Sequence, residues 1–356
     1  MIIYWRDTRL VFENFLTRRQ VTSQPLTASL LHFFDRWKSF AALSAELPQY
    51  APASLKRAVT QLVHHSLLRK EDRPLPAGHA ALEAWSEWNP AAGFFHLATK
   101  DLQFAADEQE EFRTLVRLAK SKPIPLPIKR YTEAKRISLP SPSVEGEFAR
   151  VLVQRRTWRK FSAEPVPLAS LGQSLGLTFG VRHWIKLPKI GSVAVKTSPS
   201  GGSMHPVEAY VLARKVDGLA AGFYHYSGAD HRLELLKKGA TSRDITRLLA
   251  NQWWYGSAGF VVFLTAVFAR TRWKYDYARA YRAVLIEAGH LCQTFCLTAT
   301  SLGLAPFCTM AFADSKIEKV LGIDGISESA LYVAGAGMPP EAGAKMATIL
   351  DAATAE

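Results

Sequence analysis

Cysteine is scarce in this chain. Cys292, Cys296 and Cys308 are the only three, too few and too clustered for a disulfide framework, so packed thiols are expected. Long apolar runs are missing as well. None approaches the roughly 20 residues that cross a bilayer, and Met1–Arg9 lacks the apolar stretch of a signal peptide, so the expectation is a cytoplasmic protein with no membrane segment. Several glycine signatures are also absent. There is no Gly-x-x-x-x-Gly-Lys, no Gly-x-Gly-x-x-Gly after a strand and no Gly-x-Ser-x-Gly, which leaves a P-loop, a dinucleotide-binding turn and a hydrolase elbow without support. Acidic residues are in deficit, 31 against 44 Lys plus Arg, for a net charge of +13.

What is present is otherwise ordinary. With 48% hydrophobic and 21% charged residues, 356 residues hold ample core, and the length favours two domains or one domain with an appended module. The basic excess suits an anionic partner or a phosphate-bearing cofactor, and its location narrows the choice. Between Arg113 and Lys160 there are thirteen basic and three acidic residues, against eleven and eight in residues 1–95. The excess lies outside the N-terminal segment.

Leu26–Trp37 and Ser54–His65 read as amphipathic helices, with Leu55, Val59, Leu62 and Val63 at helical spacing and Pro52 and Ser54 marking the second start. Followed by Ser66–Asp72 as a small wing, they predict a winged-helix-like module over residues 1–75. Lys56, Arg57, Gln61 and His64 would offer groove chemistry for DNA. The small net charge argues against nucleic acid, because phosphate neutralisation dominates such affinity. Docking of a peptide beside a wing strand needs less charge, and a packing role stays open.

Residues 76–145 read as a helical connector, with Trp85, Trp88, Phe94 and Phe95 available to pack between domains, and a Pro-rich linker. Ser121–Glu147 carries prolines at 123, 125, 127, 140 and 142 and can be neither continuous helix nor central strand. Residues 146–356 then read as an α+β domain. Strands are predicted over Val193–Thr197, Val207–Arg214, Gly222–Tyr226, Gly259–Ala266 and Ala330–Ala334. Helices are predicted over Gly146–Arg155, Leu168–Thr178, Ser242–Leu249 and Ala278–Leu302. The last is apolar on nearly all sides and must be buried, as a core helix or as a dimer seam.

Three segments carry chemistry. Arg155, Arg156, Thr157, Arg159 and Lys160 have a phosphate-binding composition, although a solvated basic loop has the same one. Ser198–Pro206 is a long turn whose Gly201 and Gly202 permit positive φ and close approach of backbone N–H groups to a ligand. Lys274 beside Tyr275 could supply a general acid and base, given burial or a neighbouring charge, but such pairs are common on surfaces. Cys292 and Cys296 share a helical face near His290, where buried thiols outweigh a metal site.

In this order the three segments resemble the nitroreductase superfamily, whose FMN site begins with Arg-Arg-Ser-x-Arg-x-Phe, with Thr157 here keeping the hydroxyl. Ser198–Gly202, Phe95–Asp101 and Tyr281–Gln293 resemble its SagB-type branch of azoline dehydrogenases. The resemblance covers roughly Gly146–Met338. It implies a nitroreductase-type FMN-binding α+β fold and a homodimer with the sites at its interface. Arg155, Arg156, Thr157 and Arg159 would hold the flavin phosphate and pyrimidine edge, and Pro199, Ser200, Gly201 and Gly202 would line the flavin. Gln252 would touch its polar edge, and the backbone of Thr309, Met310 and Ala311 would pass behind the ring. A Lys-x-Arg phosphate contact common near the C-terminus of the family is missing: beyond Met338 only Lys345 is basic.

The implied reaction is oxidation of an azoline in a ribosomally made, heterocyclised peptide. Lys274 and Tyr275 would remove a ring proton, and oxygen would reoxidise the flavin. Cyclodehydratase partners are implied too. Two other readings stand beside this one: a general NAD(P)H-dependent nitro or quinone reductase, and a peptide- or DNA-binding protein with a degenerate flavin domain. Intact Arg155, Arg159, Gly201 and Gly202 oppose the second.

Overall fold

A computed structural model describes residues 1–340 apart from 23, 76, 105–107, 124, 126 and 130–136. Lys345 and part of the predicted Pro-rich linker lie outside the described residues. The chain divides into two compact units. The first comprises Met1–Lys100 and Tyr275–Tyr281, and the second comprises the described residues of Asp101–Lys274 and Arg282–Glu356.

The first unit opens with a three-stranded antiparallel sheet, β1 (Ile2–Arg6), β2 (Arg9–Asn14) and β3 (Arg19–Thr22), in the order β1-β2-β3. Helices α1 (Pro25–Phe33), α2 (Phe40–Glu46) and α3 (Pro52–His64) follow. Leu30, Leu43, Leu55 and Leu62 from these helices form one buried cluster. The Ser39 hydroxyl caps α2 by accepting from the Ala42 N–H at 3.1 Å, and Pro52 starts α3 where a missing N–H costs nothing. Helices stand where the periodicity puts them, but Ser66–Asp72 is turn and bend rather than strand. The sheet precedes the helices instead. Its short strands, with Ile3, Trp5, Arg6 and Arg9 exposing mixed chemistry, give no clean apolar-polar alternation in sequence to read.

Helices α4 (His79–Glu83) and α5 (Ala91–Ala98) complete this unit. Trp85 and Trp88 are fully buried, with ring centroids 5.6 Å apart. The Trp88 indole N–H donates to the Tyr275 carbonyl at 2.9 Å, and His96 Nδ1 lies 2.9 Å from the Tyr281 hydroxyl. The two tryptophans are thus core of the first unit. Phe95 is 51% exposed.

The second unit begins with α6 (Glu108–Ser121), α7 (Glu147–Gln154) and α8 (Leu168–Phe179), then a two-stranded hairpin of β4 (His183–Leu187) and β5 (Gly191–Val195). Its centre is a six-stranded sheet of β6 (Val207–Ala213), β7 (Gly222–Ser227), β8 (Arg232–Lys238), β9 (Phe260–Val267), β10 (Ala305–Thr309) and β11 (Glu328–Gly337). The order is β10-β11-β9-β6-β7-β8, and every pairing is antiparallel. Continuous apolar runs mark the strands covered on both faces, as in β9, where seven of eight residues are buried. Between strands lie α9 (Ser242–Leu248), α10 (Phe268–Lys274), α11 (Ala280–Ser301) and α12 (Asp314–Leu321). The α+β expectation holds, and each predicted strand and helix of this region appears within a few residues. Sequence reading missed β4, β8 and β10. The first is exposed throughout and β8 nearly so, and β10 is too short to show a period.

Helix α11 buries Val284, Ala288, Leu291, Phe295 and Ala299, as a core helix should, yet leaves Arg282, Ile286 and Gln293 exposed. Among the described residues, no helix is long and apolar enough to cross a membrane.

Candidate functional site

The arginine-rich segment leaves α7 at Arg155 and is stitched to the sheet edge. The Trp158 N–H donates to the Pro306 carbonyl at 2.9 Å and the Ser162 N–H to the Met338 carbonyl at 3.0 Å. Between them, the Phe161 ring lies 5.9 Å from that of Phe307. A Cβ built on Gly337 would meet Phe161 at 2.7 Å, so glycine there makes room for the ring. This anchoring fixes Arg155, Thr157 and Arg159 half-buried, while Arg156 and Lys160 are exposed. Arg156 stacks its guanidinium over Trp158, 4.3 Å from the ring centroid.

Strand β10 brings a second set together. Gln252, which follows Ala250 and Asn251 in left-handed conformations, directs its amide NH2 to the Thr309 hydroxyl at 3.2 Å and the Ala311 carbonyl at 2.5 Å. The Thr309 hydroxyl in turn accepts from the Ala311 N–H at 3.0 Å. Gln252 and the 309–311 segment, separated by more than fifty residues in the chain, thus form one hydrogen-bonded group. The Met310 side chain is 61% exposed beside them.

The glycine turn is held from α11. Glu287, only 4% exposed, accepts from the Ser200 hydroxyl at 2.6 Å and from the Gly201 backbone. The Ser200 oxygen accepts from the His205 N–H at 2.9 Å, and the Ser198 hydroxyl lies 2.7 Å from that of Thr294. This latch holds backbone that resists folding otherwise: Gly202, Ser203 and His205 all have positive φ, at 64°, 58° and 44°. Burial pushes the Glu287 carboxyl above its usual range, so its hydrogen bonds are what make a charge tolerable there. Sequence reading passes over Glu287. A lone carboxylate in an otherwise apolar helix is the signal available.

Lys274, the last residue of α10, donates from Nζ to the Gly202 carbonyl at 3.2 Å. Tyr275 begins the segment grouped with the first unit, where its ring lies 6.0 Å from that of Tyr277.

Sequence reading also misses a charged cavity of about 520 Å³, whose lining includes Trp184, Ile190, Lys196, His205, Arg270 and Trp273. Glu208 at its wall pairs with Arg270 and with His225 Nε2, the latter at 3.1 Å, and His225 Nδ1 meets Glu234 at 2.7 Å. Its hydrogen bond to Glu208, seconded by Glu234 against a burial cost, raises the His225 pKa to about 8. Burial, then the nearby Lys196 ammonium, lowers that of His205 to about 4. Burial also lowers Lys196 itself. These residues are scattered from 184 to 273, and no spacing rule gathers them.

The chain is similar to several known proteins. Residues 152–338, more than half of the chain, match the Nitroreductase family. A nitroreductase-type protein of Methanocaldococcus jannaschii is 31% identical over 173 residues, covering 49% of this chain and 83% of that one. The trifolitoxin-processing protein TfxB of Rhizobium leguminosarum bv. trifolii is 33% identical over 140 residues, 38% of either chain. The microcin B17-processing protein McbC of Escherichia coli is 28% identical over 158 residues, 41% of this chain and 55% of that one. The chain therefore spans about half or less of these two peptide-processing relatives. Among solved structures, a chain of the E. coli microcin synthetase McbBCD complex with truncated pro-MccB17 bound matches with a TM-score of 0.52 and 21% identity, over 76% of this chain and 100% of that one. The fold, the motifs in their order and these relatives agree: the chain belongs to the nitroreductase family and counts peptide-processing proteins among its relatives.

Proposed function

We propose that this protein is an FMN-dependent dehydrogenase that oxidises azoline rings in a ribosomally made peptide to azoles. The observation that carries the reading is the hydrogen bond from Lys274 Nζ to the Gly202 carbonyl, 3.2 Å long, which joins residues 72 positions apart. It sets the candidate base against the turn read as flavin-lining. TfxB and McbC, both processing proteins of peptide products, support the substrate class.

The residues present suit FMN. Arg155, Arg156, Thr157 and Arg159 offer a dianionic phosphate three guanidinium groups and a hydroxyl, with charge-assisted hydrogen bonds of about 1.5–3 kcal/mol each. Gln252 lies against Thr309 and Ala311, where its amide would meet the polar edge of the ring and the 309–311 backbone its rear face. Pro199, Ser200, Gly201 and Gly202 would bring backbone close to the flavin, with Ser200 acting through its bond to Glu287. When bound, FMN would supply the hydride acceptor for a reaction that removes one proton and one hydride equivalent from the ring. Lys274 and Tyr275 take the ring proton, and the second and last acceptor of electrons is oxygen.

The chain works as a homodimer with cyclodehydratase partners, in the cytoplasm, and residues 1–75 recognise the peptide ahead of catalysis by residues 146–356. The McbBCD likeness favours partner proteins. The M. jannaschii relative, matched over 83% of its length, favours a second reading as a general NAD(P)H-dependent nitro or quinone reductase. Turnover of an azoline peptide against a nitroaromatic with NADPH separates the two. Faster oxidation of the peptide supports the dehydrogenase, and reductant consumption with the nitroaromatic alone overturns it.

A further inference from the structure

The three thiols, read from sequence as packing, meet in space. Cys292 and Cys296 lie one turn apart on α11, and Cys308 reaches them from β10. All three sulfurs lie within 4.8 Å of one another. The first two are 2% and 3% exposed, and Cys308 is half-buried. The Tyr332 hydroxyl adds a hydrogen bond to the Cys308 sulfur at 3.7 Å.

Convergence from two elements distinguishes this trio from a pair of helix thiols. Three sulfurs in a plane around one cation, each at about 2.3 Å, are about 4 Å apart. The present separations, all within 4.8 Å, lie close to that arrangement.

We propose that Cys292, Cys296 and Cys308 form a three-thiolate binding site for Cu(I). Soft thiolates select Cu(I), zinc or iron–sulfur clusters. Among the described residues no fourth Cys, His, Asp or Glu joins the group, so the tetrahedron that structural zinc prefers stays incomplete, whereas trigonal Cu(I) needs only these ligands. Binding forms three Cu–S bonds, breaks the S–H bonds of the three thiols, releases their protons to solvent and transfers no electrons. The three thiolates and one Cu(I) leave two negative charges, which the Arg155 guanidinium partly offsets. The site is independent of the azoline reading.

The test is titration of the reduced, purified flavoprotein, without oxygen, against Cu(I) held by bathocuproine disulfonate. One Cu(I) per chain, release of the thiol protons and three sulfur neighbours by X-ray absorption are expected. Cys292→Ser, Cys296→Ser and Cys308→Ser should each weaken binding by about 100-fold or more, with the circular dichroism unchanged. Failure to draw Cu(I) from the chelator, nitrogen or oxygen coordination, or serine variants that bind like the wild type would overturn the proposal. Where a variant does not fold, the wild-type coordination decides alone.

Discussion

At the residue scale, two side chains differ in what they are expected to do. Under the proposed reading Lys274 acts on substrate, so Lys274→Ala, and Tyr275→Phe with it, should keep bound flavin yet lose about 100-fold or more in azoline turnover, the usual worth of a positioned acid or base. Wild-type rates in flavin-loaded variants would remove the pair from the mechanism. Glu287 acts through Ser200 and the Gly201 N–H and so is a positioning residue. Glu287→Ala should weaken flavin binding about 10-fold or more by loosening the positive-φ turn, measured by fluorescence quenching of titrated FMN, and Glu287→Gln should restore much of it because an amide oxygen still accepts both bonds. The motif residues are legible one at a time, because Arg155, Thr157, Arg159, Gly201 and Gly202 carry their chemistry in their own side chains or lack of one. Glu287, His205 and Arg270 are not, because their role exists only once α11, α10 and the turn are folded together.

At the element scale, β11 and the cavity wall each make a prediction. In β11, a Cβ on Gly335 would meet Phe307 at 2.5 Å and the Phe260 carbonyl at 2.8 Å, and backbone cannot yield as a side chain can. Gly335→Ala should therefore cost about 1–3 kcal/mol, read as a lower thermal midpoint; an unchanged midpoint would contradict the packing of Phe307. At the wall, β6 and β7 stand beside histidines whose proton affinities move in opposite directions. His225 is raised to about 8 in the folded state, so its stabilisation is complete below the ordinary value near 6.5 and is lost as pH rises through about 8. His205 is lowered to about 4, so the folded state loses stability as pH falls from about 6.5 toward 4, where the unfolded chain takes up the proton first. Stability should therefore peak near pH 6.5 and fall on both sides, toward 4 through His205 and toward 8 through His225, and His225→Gln should flatten the alkaline limb alone in thermal scans across pH. Buried elements such as β9 and α11 announce themselves by apolar runs. Exposed β4 and nearly exposed β8, and the N-terminal sheet, carry no such pattern, so from sequence the module reads as helices with a following wing.

At the scale of the whole molecule, the basic excess lies between Arg113 and Lys160, so leader-peptide recognition by residues 1–75 would rest on their fold more than on their charge. Removal of residues 1–75 should abolish leader binding by fluorescence anisotropy while the visible flavin band persists; leader binding by the truncated chain would assign recognition elsewhere. The family is legible because its motifs fall in order along one chain. The substrate is not, since a fold supports many chemistries and the site alone decides among them. The central claim is tested most directly by incubating the FMN-loaded protein with an azoline-containing peptide in air and weighing the product by mass spectrometry. The account predicts a peptide lighter by two hydrogens per oxidised ring, formed by the wild type and not by Lys274→Ala. An unchanged peptide mass with flavin fully bound would contradict it.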